Sequence, residues 1–584
     1  MSEYRRYRIL HIDLNGKKYD HEDLNEKIFM KWIGGKGLAG YYLRPYINLP
    51  YDDPSMPVMI MAGPLVSTAA PTSGRSCIMS RSPLTGAIGD SSVGGSLGFN
   101  IRKSGIEGIV ISGRSDSLVG IEIEDHNIRF TDAGNYYNAG TDKIYSDLKN
   151  KGTVVCTGIA ADNGVLFANV MVDGNSCAGR IGLGTVFSSK NLKYITITGT
   201  GKIPVADPAG LKKAREDIIR LTGTSPVLMG EHGIAYYGTG ALYDLMDNRR
   251  MMPVANFRRT KFEAAPSMNA VAYNKKYKPK RIGCKGCHIQ CKKISADGRH
   301  HIPEFETMSH FSALLENEDI NVVTEANRYC NISGMDTLTA AATLSCFAEI
   351  TGDKLTGKRI MELLGDMATA NGDTGKILAQ GSYRYAGSVG KSKSSMTVKK
   401  LELPAYDPRG AYGMSLGYAM STRGGCHLRA YPISHEILRK PVVTDRQSYE
   451  GKARIIKISE DINAIADSLT VCKFVLLGAS LEEYSKAFTA VTGIEMSSQD
   501  LIKTGERIVY HERIMNAING FTGKDDDLPE RFFCEEGSSG QGINITPIDR
   551  EAFLKAKQNY YIVRGLDEKG MPVAEKAKEL GLEL

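Results

Sequence analysis

The sequence predicts an α+β fold, with a β-rich N-terminal domain followed by two largely α-helical domains. Three observations carry that expectation. Short apolar runs bounded by Gly, Asn and Asp crowd residues 1–205. Helical periodicity takes over beyond Pro204 and Pro208. A second change of composition, towards Gly, Lys and Ser, falls near residues 390–395. Domains are therefore expected at 1–205 (β-rich), 206–395 (helical) and 396–584 (helical).

Strands are expected at 8–14, 108–112, 119–123, 154–156, 165–172 and 194–198. Between them glycine is dense: Gly34-Gly35-Lys36-Gly37, Ser73-Gly74-Arg75, Gly94-Gly95-Ser96-Leu97-Gly98, and Ala178-Gly179-Arg180-Ile181-Gly182-Leu183-Gly184. None is a P-loop, and the G-x-G-x-x-G at Gly35–Gly40 follows a helical-looking stretch, so a dinucleotide site is disfavoured. Several Gly-freed amide runs carrying basic residues suit a large phosphate-bearing ligand. Helices are expected at 208–221, 322–332, 337–350, 358–370, 452–469, 481–491 and 498–517. No internal repeat is visible.

Hydrophobic content of 42% and charged content of 24% are ordinary for a globular protein. No apolar run reaches membrane-spanning length and residues 1–7 hold no apolar leader, so a cytoplasmic location without membrane contact is expected. Eleven Cys then fit metal ligation or burial better than disulfides. A net charge of +7 gives no case for nucleic acid. Residues 264–296 nevertheless hold no Asp or Glu and eight basic residues: Lys275, Lys276, Lys278, Lys280, Arg281, Lys285, Lys292 and Lys293. Such a run is either a solvated loop or a face that steers an acidic electron carrier.

Inside that run, Cys284, Cys287 and Cys291 are spaced C-x2-C-x3-C. Three thiolates so spaced can wrap one face of an iron–sulfur cube, with a distant fourth Cys closing it. Zinc usually takes two C-x2-C pairs, and no second pair exists. Three unrelated buried thiols are the plain alternative.

Several stretches agree, in order, with one family: Pro71-Thr-Ser-Gly-Arg75, Ser82-Pro-Leu-Thr-Gly86, Pro303-Glu-Phe-Glu306, Leu401-Glu-Leu-Pro-Ala-Tyr-Asp-Pro-Arg-Gly-Ala411, Arg423-Gly-Gly-Cys-His427 and Asp467-Ser-Leu-Thr-Val-Cys472. From about residue 5 to about 575 the chain resembles the aldehyde:ferredoxin oxidoreductase family of tungsten enzymes. The resemblance implies a tungsten bis-pyranopterin on the β-rich base, with molybdenum as the alternative metal. It also implies a [4Fe–4S] cluster on Cys284, Cys287, Cys291 and Cys472, and Mg2+ bridging the pterin phosphates through the carbonyls of Ser92 and Ala178. Arg75 would lie between pterin and cluster, and the run through Gly179 and Arg180 would face cofactor. Two pterin-binding motifs match Asn331-Ile-Ser-Gly334-Met-Asp336 and Asp467-Ser-Leu-Thr470-Val471-Cys472. They depart from the family at Asn331, where Asp is usual, and at Thr470, where Gly is usual, so an altered backbone is expected at Thr470. Glu306 and His427 would flank the substrate.

The implied activity is oxidation of an aldehyde to a carboxylic acid, with electrons passing to ferredoxin or to a dedicated Fe–S subunit. His427 would polarise the carbonyl and Glu306 would take a proton. Without the resemblance, Glu306 is a helix-start carboxylate and His427 a structural histidine beside Gly424 and Gly425. His288 is expected beside the cluster, and His300, His301 and His310 at the surface or the pocket rim. The interface iron that some members bind through E-x-x-H is not expected, because Glu325 is followed by Arg328; an oligomer built on it is therefore in doubt. Two alternatives stand: a family member with other low-potential chemistry, such as ring reduction of an aromatic thioester, and a non-catalytic Fe–S electron-transfer protein.

Overall fold

In a computed structural model, residues 7–584 are described; the leader expectation for residues 1–6 lies outside them. Six strands, β1 (Arg8–Asp13), β2 (Lys18–Asp23), β3 (Val58–Ala62), β4 (Ser76–Arg81), β5 (Ile88–Val93) and β6 (Gly108–Ser112), form a sheet in the order β2-β1-β6-β3-β4-β5. Six more, β7 (Val119–Glu124), β8 (Asn127–Asp132), β9 (Thr153–Cys156), β10 (Val170–Val172), β11 (Ser176–Ala178) and β12 (Leu192–Thr198), form a second in the order β11-β10-β9-β12-β7-β8.

The two sheets have one topology. Each opens with an antiparallel hairpin. Its sixth strand runs parallel to the first and antiparallel to the third. Helices Leu97–Lys103 and Leu183–Ser189 follow the fifth strand in each. The base is thus an internal duplication that its sequence conceals, apart from the echo of Leu97-Gly98 in Leu183-Gly184.

Facing residues of both sheets share one core: Ile60, Ile78 and Ile109 from the first, Ile121, Val155 and Ile195 from the second. Strands alternate faces, so Met59, Met61 and Met79 point the other way. They pack with helices Lys452–Leu469, Leu481–Thr492 and Ser498–Ile518 through Ile465, Phe488 and Ile508. Because β3 is covered on both faces, it reads as an unbroken apolar run without the usual alternation. The last strand of the base ends at Thr198 and helix Pro208–Gly223 begins beyond it, capped by Asp207, whose side chain accepts from the Gly210 N–H. Of the expected strand at 165–172, only Val170–Val172 forms; the rest is a turn pinned by Ala168 N to Val165 O at 2.9 Å.

The two expected pterin motifs are helix ends pressed onto the two sheets at equivalent places. Helix Ile320–Ser333 ends at Gly334 in the left-handed region, φ 75°, ψ 45°. Helix Lys452–Leu469 ends at Thr470 in the same conformation, φ 51°, ψ 41°. Thr470 therefore keeps the glycine-like backbone, contrary to expectation, and its Oγ1 accepts from the Gly63 N–H at 3.0 Å. Gly63 follows β3 and Gly158 follows β9. A Cβ on Gly63 would stand 2.2 Å from the Leu469 carbonyl oxygen, and one on Gly158 2.4 Å from that of Ser333, so both contacts need glycine.

Candidate active site

A short hairpin, β13 (Lys280–Ile282) and β14 (Lys292–Ile294), carries Cys284, Cys287 and Cys291 in its loop. Gly286 (φ 74°) and Gln290 (φ 50°) turn the loop back on itself. Cys472 arrives from the second motif, its N–H bonded to Thr72 O at 3.0 Å. The thiols lie close enough to perturb one another's ionisation. Burial raises the Cys291 thiol, and Cys472, Cys284 and Cys287 raise it further. Cys472 is pushed up to about 11 by burial, Arg75 opposing and Cys287 and Cys284 adding. Burial resists the charge on Arg75, but Cys472, Cys284, Asp467 and Cys291 outweigh it. Ionised together, these cysteines would repel one another, so a cation shared among them, as an iron–sulfur cluster core is, fits the site. Gly94 makes room: a Cβ there would sit 2.4 Å from Cys284 Sγ.

Arg75 links this loop to the base. Its Nε donates to Ser92 Oγ at 2.8 Å and its Nη2 to Ser92 O at 2.7 Å. Ala178 is buried at the end of β11, against β5. Gly179 follows it, and Arg180 reaches across to the helical part, Nη1 to Gly425 O at 2.8 Å and Nη2 to Glu402 O at 2.6 Å. Its Nε lies 3.5 Å from Asp336 Oδ2. Asp336 caps helix Thr337–Thr351, accepting from Leu338 N and Thr339 N. The side chain of Asn331 reaches only Asn327, at 3.5 Å, and Val471 is core.

Glu306 stands in the first turn of helix Phe305–Phe311, as a helix-start carboxylate should. It also meets His427: Nε2 to Oε1 is 3.0 Å. Burial raises the Glu306 carboxyl, but the charge and hydrogen bond of His427 win, and it lies below its ordinary value. An ionised carboxylate only accepts, so His427 donates from Nε2. The buried Nδ1 has no protein partner. Tyr406 and Tyr431 flank the imidazole at 5.3 and 5.8 Å between ring centroids, and Phe305 packs on Tyr406 at 5.3 Å. His310 is fully buried instead of at the rim, its Nε2 3.1 Å from Leu403 O, and burial pulls it down to about 4. His300 and His301 are half-buried. Glu325 and Arg328 form an ion pair, Nε to Oε1 2.9 Å.

Beside this pair lies a buried bed of charge that the sequence did not reveal. Lys36 pairs with Glu512 at 2.6 Å, Lys473 with Asp467 at 2.8 Å, and Arg429 with Asp90. Arg423 adds Nη1 to Asp90 O at 2.6 Å and holds Cys426 Sγ from Nε at 3.1 Å. Burial opposes ionisation of Cys426, but Arg423, Arg429, His427 and Arg180 pull its thiol down to about 6. The Nε atoms of Arg429 and Arg180 are buried without a hydrogen-bond partner. Unspent buried donors on two arginines fit an anionic ligand, as pterin phosphates are. The only sequence signal was Arg423-Gly-Gly-Cys-His427-Leu-Arg429, two cations around a thiol and an imidazole.

Residues 9–199 match the family model for the N-terminal domain of aldehyde ferredoxin oxidoreductase, and residues 213–582 the model for its domains 2 and 3. The chain is 34% identical to a tungsten-containing aldehyde ferredoxin oxidoreductase of Thermococcus kodakarensis, over 98% of both chains. It is 33% identical to one of Pyrococcus furiosus, again over 98% of both. Its fold is similar to the solved active-site complex BamBC of benzoyl coenzyme A reductase, with a TM-score of 0.83 at 20% identity, over 99% of this chain and 97% of that one. No helix among the described residues is long and apolar enough to cross a membrane. The chain belongs to the aldehyde ferredoxin oxidoreductase family and is an oxidoreductase.

Proposed function

We propose that this chain oxidises an uncharged, apolar or aromatic aldehyde to its carboxylic acid and passes the electrons singly to an iron–sulfur protein. One aldehyde and one water become one acid, two protons and two electrons. The observation that carries this is the Glu306–His427 contact of 3.0 Å, walled by Phe305, Tyr406 and Tyr431. Glu306 accepts a proton from the attacking water; His427, its Nε2 held by Glu306, donates from Nδ1 towards the carbonyl oxygen, where negative charge develops. The three rings pack about His427 and suit an apolar or aromatic side chain. A tungsten bis-pyranopterin, when bound, supplies the two-electron acceptor.

Arg75, Gly179, Arg180, Asn331, Gly334, Asp336, Asp467, Thr470 and Val471 would hold the pterins, and the carbonyls of Ser92 and Ala178 a magnesium ion. Cys284, Cys287, Cys291 and Cys472 would hold a [4Fe–4S] cluster. The chain would divide into a base at 1–205 and closing domains at 206–395 and 396–584. The partner would be ferredoxin or an Fe–S subunit. The test is anaerobic purification, metal analysis by mass spectrometry, and turnover of a panel of aldehydes with a viologen acceptor. Tungsten with aldehyde-dependent viologen reduction is expected; metallated protein inert to every aldehyde would sink the activity.

A further inference from the structure

A groove of about 720 Å³ runs along the outer side of the cysteine loop. Its walls come from the turn through Ala70 and Ser73, from helix Pro208–Gly223, and from Lys285, Gly286 and His288, which alternate in sequence with Cys284 and Cys287. Its floor is apolar, with Ala70, Phe99 and Leu211; its cations are Lys212, Arg215 and Lys285, and among the described residues no Asp or Glu lines it. Pro208, Leu211, Lys212, Arg215 and Ile219 recur at three- and four-residue steps, so one helical stripe faces the groove.

The groove is fixed to the four thiols. His288 Nε2 is 2.8 Å from Thr222 Oγ1 on the same helix. The Lys285 carbonyl oxygen packs so closely on Gly74 that a Cβ there would stand 2.5 Å away, and the next residue is Arg75. Three of the eight cations of the basic run seen in the sequence are engaged elsewhere. Lys276 bonds Asn321, Lys292 bonds Asn175 O at 2.7 Å, and Lys293 is buried on Gln290 O at 3.0 Å.

We infer that this groove receives an acidic one-electron iron–sulfur carrier protein, with Lys212, Arg215 and Lys285 as its electrostatic rim. An apolar floor within a polar rim is how protein interfaces are built, and a rim of one sign selects a partner of the other. The assignment rests on the four cysteines holding the cluster. Each docking removes one electron, so two carriers are reduced per aldehyde oxidised.

The experiment uses the metallated enzyme and an acidic [4Fe–4S] ferredoxin, comparing a Lys212→Glu, Arg215→Glu variant with a Lys275→Glu, Lys276→Glu control. The groove variant should raise the ferredoxin KM on the order of tenfold at low salt and flatten its salt dependence, while viologen turnover is unchanged. Ferredoxin binding is measured separately by calorimetry, so the groove is tested whether or not turnover is seen. Unchanged ferredoxin affinity in the groove variant overturns the inference, as does a loss confined to the control. Self-association abolished by the groove variant would make the occupant a second copy of this chain and also overturn it. Absence of viologen turnover in the unsubstituted enzyme sinks the aldehyde activity instead.

Discussion

The turns at 331–336 and 467–472 are built alike and end differently. Both leave a helix through a left-handed residue, Gly334 or Thr470, and both lay the preceding carbonyl on a glycine of the base. In the first, the sixth residue is Asp336, which caps the next helix and approaches Arg180. In the second it is Cys472, which faces Arg75 and the cysteine loop. The base differs in step. Where the first sheet offers Arg75 ahead of β4, the second offers Asn169 ahead of β10, its Nδ2 donating to Met335 O at 2.8 Å. A duplicated cradle thus carries a thiol and a guanidinium on one side, Cys472 and Arg75, and a carboxylate and an amide on the other, Asp336 and Asn169.

The largest expected effect breaks the asymmetry itself. Cys472→Ala should abolish the cluster's visible and paramagnetic signals, because one iron loses its ligand. Cys346→Ala, at a thiol buried in a helix, should leave them intact. Full cluster content in the Cys472 variant would falsify the fourfold assignment.

Next, His427→Ala should lower kcat and kcat/KM together, by on the order of 100-fold. Glu306→Gln should act on the same step, so the double variant should lose less than the product of the two. Tungsten and iron should be retained in each. Normal viologen turnover in metallated His427→Ala would end its catalytic role, and lost tungsten would make it a residue that holds cofactor.

The same pair has a pH signature. The Glu306 carboxyl is lower in the folded protein than in the unfolded chain, so the folded state binds its proton less readily. Its contribution to stability is complete above the ordinary carboxylate value and fades as pH falls from there through the depressed folded value. The gap in Tm between wild type and Glu306→Gln should therefore shrink on acidification. A gap constant down to pH 3 would mean the pair contributes no proton linkage.

The smallest effects compare the turns directly. Asp336→Ala removes a helix cap, at about 1 kcal/mol, without touching the cluster. Thr470→Gly should be nearly neutral in Tm, since about 1 kcal/mol of relieved left-handed strain offsets about 1 kcal/mol of lost hydrogen bond to Gly63. Gly334→Thr should be plainly destabilising, because its Cβ would meet Gly158 N at 2.8 Å. Equal shifts for the two swaps would show that position 334 does not need its glycine.

Much of this was legible in the chain, and the remainder was hidden for physical reasons. Helix 452–469 was read to the residue, because its apolar positions keep the helical period. β3 was missed: with both faces covered, Val58-Met-Ile-Met-Ala62 has no alternation to see. The C-x2-C-x3-C motif marked the loop, whereas Cys472 could be chosen only by resemblance. Lys36, Asp90, Arg429 and Glu512 were invisible as a group, since a bed assembled from four distant segments leaves no local pattern. Thr470 was misjudged because residue type was taken for conformation, and a hydroxyl bonded to Gly63 holds what glycine would allow.

The duplicated base also sets an order of events in the making of the protein. Each sheet is contiguous, β1 to β6 within residues 8–112 and β7 to β12 within 119–198, with no strand borrowed from elsewhere. The residues that close on them come much later: Thr470 reaches Gly63 across 407 positions of chain. On the ribosome the whole cradle therefore emerges before either closing turn has been synthesised, and domains fold as units from the N-terminus. The two helix ends therefore close on a base whose strands have all been made before them.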